Sequence, residues 1–153
     1  MSTELTEAAV AATIDHAILK PDFTRADVDR ELDIAAEWGV FSVCVRPSDI
    51  PYAVRRLDGT GVAVGTVIGF PHGTTSTAAK VAEVHQALAD GASEVDMVLN
   101  IGWLRSGLDD LVEADIRSVV DAADGHITKV IFETAYLDDD EIVRACRASE
   151  AAG

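Results

Sequence analysis

The sequence predicts an α/β protein whose βα units belong to a (β/α) barrel, with about five units of an incomplete barrel present. From residue 24 onward, amphipathic helical stretches alternate with short β-rich runs, which is the pattern of βα units on a parallel sheet. Hydrophobic residues make up 48% of the chain, enough for a packed core. Because 153 residues suit one domain, we expect residues 1–153 to form a single domain.

Five strands and five helices are expected in alternation. The strands fall where β-branched and aromatic residues cluster, at residues 13–18, 41–46, 62–70, 94–100 and 127–134. The helices fall at residues 24–38, 48–57, 76–90, 109–123 and 138–151. Helix starts are indicated by Thr24 with Asp27 three residues later, by Ser48 and by Ser76. Helix ends are indicated by Gly39, Gly91 and Gly125.

One face of several predicted strands is polar. Successive strand residues point to opposite faces, and three strands place a polar or reactive residue among apolar ones: Asp96 between Val95 and Met97, Cys44 between Val43 and Val45, and Lys129 beside Val130. A doubly wound sheet would have two apolar faces, whereas the interior of a barrel holds an active site at the C-terminal ends of its strands. The pattern therefore favours the barrel, with the doubly wound sheet as the alternative.

Four residues from four different strands are candidates for a site: Asp15, Cys44, Asp96 and Lys129. In a barrel they would converge on the interior, where Asp96 could pair with a lysine or with water rather than remain an unpaired buried charge. An alternative is that Asp96 and Lys129 only satisfy each other as an interior ion pair. Cys44 has its own alternative, because a half-buried cysteine often behaves as a small hydrophobic residue.

The charge of the chain is strongly acidic, with 27 acidic and 12 basic residues and a formal net charge of −15. Nucleic acid is an improbable partner, since phosphate contacts need clustered lysine and arginine. The N-terminus has no basic and apolar leader pattern, and no apolar run approaches the roughly 18 residues of a membrane span. We therefore expect a cytoplasmic protein without a membrane partner. The two cysteines lie far apart, which suggests neither a disulfide framework nor a thiolate zinc site.

Five segments resemble deoxyribose-phosphate aldolase, in order and spacing: "IDHAILKPD", "FSVCVRPSDI", "GTVIGFPHGTTSTAAKVAE", "GASEVDMVLNIGWLRSG" and "TKVIFETAYLDDDEI". The resemblance covers the chain from Thr13 onward. It implies a TIM barrel that reversibly cleaves 2-deoxy-D-ribose 5-phosphate into acetaldehyde and D-glyceraldehyde 3-phosphate through a lysine Schiff base. No metal or organic cofactor is implied, the partners are a phosphorylated sugar and aldehydes, and a homo-oligomer is compatible with it.

The resemblance also assigns roles to the candidate residues. Asp96 corresponds to the aspartate that relays protons through water, while Asp15, Cys44 and Lys129 correspond to positions near the substrate. A carboxylate one water away from the reacting carbon suits general acid–base catalysis. Two positions depart from the family pattern, because Ala17 replaces an expected threonine and His72 replaces a common leucine.

The Schiff-base lysine of the family lies on a sixth strand, in a motif of the "VKTSTGF" type that this chain does not contain. Barrels of this kind take about 250 residues and seldom fewer than about 200. We therefore expect the chain to be the N-terminal portion of a longer aldolase that is inactive alone. Lys129 is a poor substitute nucleophile, since its expected neighbours Asp96 and Glu133 are anionic and would raise its pKa.

Two other functions stay open. A metal-dependent aldolase or isomerase would use His16, His72 and Asp96 as ligands, but no pair of histidines has ligand-like spacing. His85 and His126 fit a helix face and a turn, and His16 fits a packing position behind its strand. The other alternative is a non-catalytic half-barrel that persists by pairing with a partner chain.

The dispersed acidity predicts adaptation to high salt, where counterions screen self-repulsion. An ordinary acidic cytosolic protein is the alternative. We expect the melting temperature to rise between low salt and molar KCl, and a thermal unfolding series followed by circular dichroism measures it. A melting temperature that stays constant across the series would contradict the salt hypothesis.

Overall fold

The computed structural model describes residues 5–153 and contains one open sheet of five parallel strands. The strands follow sequence order: β1 (Asp15–Ile18), β2 (Ser42–Val45), β3 (Ala63–Ile68), β4 (Glu94–Val98) and β5 (Ile127–Ile131). The helices are α1 (Glu7–Ala11), α2 (Arg25–Trp38), α3 (Ile50–Arg56), α4 (Thr77–Ala89), α5 (Ile101–Arg105), α6 (Asp109–Ala123) and α7 (Asp139–Ala152). The predicted α/β class with five βα units is confirmed. Within the described range, no helix combines the length and apolarity that crossing a bilayer requires.

Two short helices escaped prediction because each has only five residues, too few for a periodic pattern. In α1 the Thr6 side chain accepts the backbone N–H of Ala9, the third helical residue. In α5 the side chain of Asn100 accepts the N–H of Trp103 at 3.1 Å. This cap explains why the predicted strand 94–100 ends at Val98, since Asn100 already starts a helix.

Other predicted boundaries also shift for identifiable reasons. The predicted strand 127–134 ends at Ile131, and Glu133 beyond it adopts a left-handed backbone with φ 55°. The predicted helix 48–57 is divided into a 3-10 turn at Pro47–Asp49 followed by α3. Gly125 was expected to end α6, but Asp124 occupies that left-handed position with φ 48°.

The described chain falls into two compact units, and the first comprises residues up to Thr66 together with Asp90–Ser93. In it β1 and β2 pair in parallel, with Asp15 opposite Ser42 and Ala17 opposite Cys44. Fully buried side chains from α2 and β2 form its core: Val28, Leu32, Val43 and Val45. Burying each such side chain contributes about 1.5–3 kcal/mol. That residues 1–153 form one domain stays a prediction.

The start of α2 is fixed by the predicted capping box. The Thr24 hydroxyl accepts the N–H of Asp27, while the Asp27 carboxylate accepts the N–H of Thr24 at 2.9 Å. Hydrogen bonds from Thr24, and then from Arg30, lower the pKa of Asp27 from 3.8 to about 2. The contribution of this carboxylate to stability is therefore complete above pH 3.8 and is lost as the pH falls through about 2.

The second unit comprises Val67–Ala89 and Glu94–Gly153. Here β4 and β5 pair in parallel, with Asp96 opposite Lys129 and Val98 opposite Ile131. On the face of β4 opposite Asp96, Val95 and Met97 are fully buried, as is Leu99 directly after the strand. The apolar stripe of α6 is also buried, at Val112, Ile116 and Val119. The polar face of β4 is thereby free to carry the candidate site.

Two left-handed glycines differ in how closely other atoms approach them. At Gly73, with φ 67°, an added Cβ would overlap the carbonyl oxygen of Leu99, whereas at Gly39, with φ 59°, no atom lies within 4 Å of it. We expect Gly39→Ala to cost about 1 kcal/mol, from backbone strain alone. Gly73→Ala should cost about 2–4 kcal/mol, because overpacking is added to the strain. Urea denaturation of both variants tests this, and equal losses would exclude a role for the close approach.

Candidate active site

The first group of candidate residues lies on one face of β1 and β2. The hydroxyl of Ser42 donates a 2.7 Å hydrogen bond to Oδ1 of Asp15, which faces it across the two strands. Cys44 follows two residues along the same face and is 5% exposed, while Asp15 is exposed. The structure thus brings Asp15 and Cys44 onto one surface of paired strands, with Ser42 orienting the carboxylate.

The second group lies on β4 and β5. Asp96 is 8% exposed and is the register partner of Lys129. The ammonium of Lys129 lies 2.8 Å from Oε1 of Glu94, whose side chain is almost fully buried. Glu94 was not among the neighbours that the sequence suggested for Lys129, which were Asp96 and Glu133. A buried carboxylate at this distance stabilises the charged ammonium.

This ion pair defines what Lys129 can do. An amine must be unprotonated to attack a carbonyl, and Glu94 favours the protonated state. Lys129 is still partly accessible, with a side chain 38% exposed. It is therefore suited to binding or polarising a negatively charged or carbonyl oxygen, rather than to acting as a nucleophile. Asp96, one cross-strand position away, is suited to exchanging protons beside it.

A buried lysine supports the C-terminal end of β4. Lys80 of α4 is fully buried, and its ammonium donates to the carbonyl oxygen of Val98 at 2.9 Å and to Asp115 at 2.6 Å. The other carboxylate oxygen of Asp115 accepts a 2.7 Å hydrogen bond from the Thr77 hydroxyl. These bonds connect α4, α6 and β4, so the strand end that precedes Asn100 is held by charge-assisted contacts.

The loop after β3 is fixed to the same unit at two points. Its first glycine, Gly69, donates its N–H to the carboxylate of Glu83 at 2.7 Å, and an added Cβ there would contact Lys80. Its second glycine, Gly73, lies against the backbone of Leu99. His72 between them is exposed, as a loop position would suggest. The backbone of this loop is thus positioned by Lys80 and β4.

Two of the three remaining histidines have local partners. His16 lies 3.0 Å from a carboxylate oxygen of Glu31 on α2, and His126 lies 2.7 Å from the carbonyl oxygen of Ala123. His85 is exposed on α4. Among residues 5–153, no three histidine, cysteine, aspartate or glutamate side chains are grouped as metal ligands would be.

Sequence analysis missed Ser42, Glu94 and the buried pair of Lys80 with Asp115 as members of these networks. Ser42 and Glu94 carried a detectable signal, because each alternates with a candidate on the polar face of its strand. The pair of Lys80 and Asp115 carried no comparable signal. The two residues are 35 positions apart, and they lie on two different helices, α4 and α6.

Consecutive parallel βα units with acids and a lysine at neighbouring strand positions are the architecture of the (β/α)-barrel class of proteins. A profile of the family described as DeoC/LacD family aldolase matches residues 9–152. The chain belongs to this family. The aldolase prediction and the incomplete barrel are thereby confirmed.

Individual relatives agree with the family assignment. The chain is 50% identical over 143 residues to deoxyribose-phosphate aldolase 2 of Staphylococcus aureus (strain MRSA252), a match that covers 94% of this chain and 65% of the relative. It is 48% identical to deoxyribose-phosphate aldolase of Staphylococcus haemolyticus, over 94% of this chain and 65% of that one. The chain therefore spans slightly less than two thirds of these curated relatives.

A solved structure shares the fold. The tetrameric deoxyribose phosphate aldolase from Aeropyrum pernix superposes with a TM-score of 0.87 at 27% identity, covering 97% of this chain and 62% of that chain. The likeness extends over nearly all of this chain.

The buried pair of Lys80 and Asp115 generates a stability prediction. Lys80→Met should lower the free energy of unfolding by about 3–5 kcal/mol, because it leaves a buried carboxylate without its cation. The double variant Lys80→Met with Asp115→Leu should be more stable than either single variant, since both charges are removed together. Urea unfolding of the parent chain, the two single variants and the double variant measures these free energies of unfolding.

The matched surface control is Arg30→Met, which breaks the exposed pair with Asp27 and should cost less than about 1 kcal/mol. If the double variant were less stable than both single variants, the two side chains would not act as a compensating pair.

Proposed function

We propose that this chain supplies the proton-relay portion of a deoxyribose-phosphate aldolase, which reversibly cleaves 2-deoxy-D-ribose 5-phosphate into acetaldehyde and D-glyceraldehyde 3-phosphate. The observation that carries the proposal is the adjacency of Asp96 and Lys129 on paired strands, within a chain of this aldolase family. Asp96 exchanges protons with the carbinolamine oxygen and the enamine carbon through water. Lys129, Asp15 and Cys44 lie near the substrate.

None of the three lysines of this chain serves as the Schiff-base nucleophile in this proposal. Lys80 is fully buried and bonded to Asp115, so substrate has no access to it. Lys129 is kept as an ammonium by Glu94. Lys20 is exposed and lies over the ring of Phe23, 5.2 Å from its centroid, and not in the desolvated pocket that activates a nucleophilic lysine. The nucleophile is therefore contributed from outside these 153 residues.

The setting proposed for this activity is the cytosol, and the proposed assembly is a homo-oligomer. Support for assembly comes from the Aeropyrum pernix relative, which is described as tetrameric. Phosphorylated sugars and aldehydes are the partners, with no nucleic acid, because the net charge of −15 opposes phosphate backbones.

A second role, as a partner-dependent half-barrel without catalysis, is favoured by one observation. A cavity of about 380 Å³ opens beside β5 and is lined by Val130, Phe132 and Ile116 among other residues. These β5 side chains are only half-buried, and an apolar strand surface left in this state favours pairing with another segment. In this role the chain would form a stable complex and show no Schiff-base chemistry.

A chimera tests the proposed function. Residues 1–153 are joined to the part of the Staphylococcus aureus relative that lies outside the match, and acetaldehyde release from 2-deoxy-D-ribose 5-phosphate is measured. We expect cleavage by the chimera and a loss of about 10²–10⁴-fold in kcat for Asp96→Asn, because proton transfer is impaired. Asp58→Asn is the isosteric control, since Asp58 is exposed in the loop after α3, and should leave kcat unchanged.

Borohydride trapping with acetaldehyde locates the nucleophile in the same chimera. Mass spectrometry should find the reduced adduct in the appended segment, and no adduct on Lys20, Lys80 or Lys129. An adduct on Lys129 would contradict the assignment of this chain to proton relay alone. A chimera that folds, assembles and yet gives neither cleavage nor adduct would favour the non-catalytic role.

A further inference from the structure

Two residues other than glycine adopt a left-handed backbone within residues 5–153: Asp124 with φ 48° and Glu133 with φ 55°. This conformation is unfavourable for any side chain with a Cβ, and the turn residues that tolerate it best are short and polar. Each case therefore requires an explanation, either in the fold or in function.

The fold explains Asp124. It is the C-cap of α6, where a left-handed residue commonly ends a helix, and its N–H bonds to the carbonyl of Asp121. Aspartate is among the residues that accept this conformation most easily. Asp124 precedes β5, so it lies toward the N-terminal end of that strand.

The fold does not explain Glu133 in the same way. Glu133 precedes the 3-10 turn Thr134–Tyr136, and no side-chain hydrogen bond caps that turn. The turn uses only its backbone carbonyl, which accepts the N–H of Tyr136 at 3.0 Å. A glycine would provide the same carbonyl without strain. Glu133 is half-buried, and its carboxylate is the group that a glycine would not supply.

The location of Glu133 suggests what that carboxylate does. It follows the C-terminal end of β5, beside the C-terminal end of β4, where the N–H of Leu99 bonds to the carbonyl of Ile131 at 3.2 Å. Active sites of (β/α) barrels lie at this end of the strands. The same strand carries Lys129, and the neighbouring strand carries Asp96. Strained residues at such positions are retained where a side chain must be held toward a ligand.

We propose that Glu133 is a substrate-contacting residue whose carboxylate accepts a hydrogen bond from a hydroxyl group of the sugar. The inference rests on the proposed function, because it takes the phosphorylated sugar as the ligand. A carboxylate matches a hydroxyl donor and repels a phosphate. Glu133 therefore selects the hydroxyl-bearing part of the substrate, and its strained backbone aims it there.

The experiment combines thermal unfolding with an NMR titration of the 153-residue chain, using 2-deoxy-D-ribose 5-phosphate as the probe. Glu133→Gly relieves the strain, so we expect the melting temperature to rise by about 3 °C or more while affinity for the probe falls at least tenfold. Asp124→Gly, the matched control, should raise the melting temperature and leave the affinity unchanged.

Glu133→Gln separates hydrogen bonding from charge. It removes a negative charge that repels the phosphate, so electrostatics alone would strengthen binding of the sugar phosphate and of inorganic phosphate alike. The glutamine amide oxygen still accepts a hydrogen bond from a hydroxyl, but without charge assistance that bond is weaker. Weaker binding of the sugar phosphate together with unweakened binding of inorganic phosphate then comes from the weakened hydroxyl contact.

The outcomes distinguish this inference from the proposed function. A Glu133→Gly chain that is less stable than the parent would show that the carboxylate supports the fold, and this would overturn the inference. Unchanged affinity in both Glu133 variants would overturn it as well, while leaving the proposed function intact. If the parent chain showed no saturable binding of the sugar phosphate, the inference would be overturned, whereas the proposed function is decided separately by cleavage in the chimera.

Discussion

The second unit depends on one buried interaction, the pair formed by the ammonium of Lys80 and the carboxylate of Asp115. A lysine with no exposed surface is stable only if its charge is compensated and its donors are used. Asp115 and the carbonyl of Val98 meet that requirement. Val98 is the last residue of β4. The hydrogen bond from the Lys80 ammonium to its carbonyl oxygen therefore also holds the end of the strand, where the chain turns toward α5.

The buried Lys80 side chain also limits the conformation of the loop after β3. Gly69 and Gly73 lie so close to Lys80 and to the Leu99 backbone that neither leaves free room for a side chain. The loop is therefore shaped by what it packs against rather than by its own sequence. A loop that must stay near a strand end, on a rigid supporting network, is suited to presenting groups to a ligand. The exposed His72 lies in this loop.

Much of the fold was predictable because it follows from periodicity. Within residues 5–153, all five strands and five of the seven α-helices appear where alternation and helical spacing place them, and the capping box at Thr24 appears as expected. The failures share a cause, since α1 and α5 are too short to show a period and depend on the single caps Thr6 and Asn100. Local hydrogen bonding, which periodicity does not record, determines such elements.

The candidate site was predictable to a similar extent: its residues could be identified, but their interaction partners could not. Strand alternation identifies the polar faces that carry Asp15, Cys44, Asp96 and Lys129, but it does not identify partners. Lys129 illustrates the limit, because its ion pair is with Glu94, two residues before Asp96 on the same face of β4. The approach of the flexible Lys129 side chain to within 2.8 Å of Glu94 depends on side-chain geometry and desolvation. Both of these arise only when the strands have been paired.

The lysines and arginines of the chain are distributed differently between the interior and the surface. Of the three lysines, Lys80 is buried, Lys129 is partly buried beside Glu94, and Lys20 alone is exposed. Carboxylates at the surface therefore form ion pairs mainly with arginine, as in the exposed pair of Arg117 with Glu113. Salt screens exposed charges strongly and buried pairs weakly. Added salt should thus reduce the repulsion among surface carboxylates while leaving the interaction of Lys80 with Asp115 intact, so the network that fixes β4 is compatible with an acidic exterior.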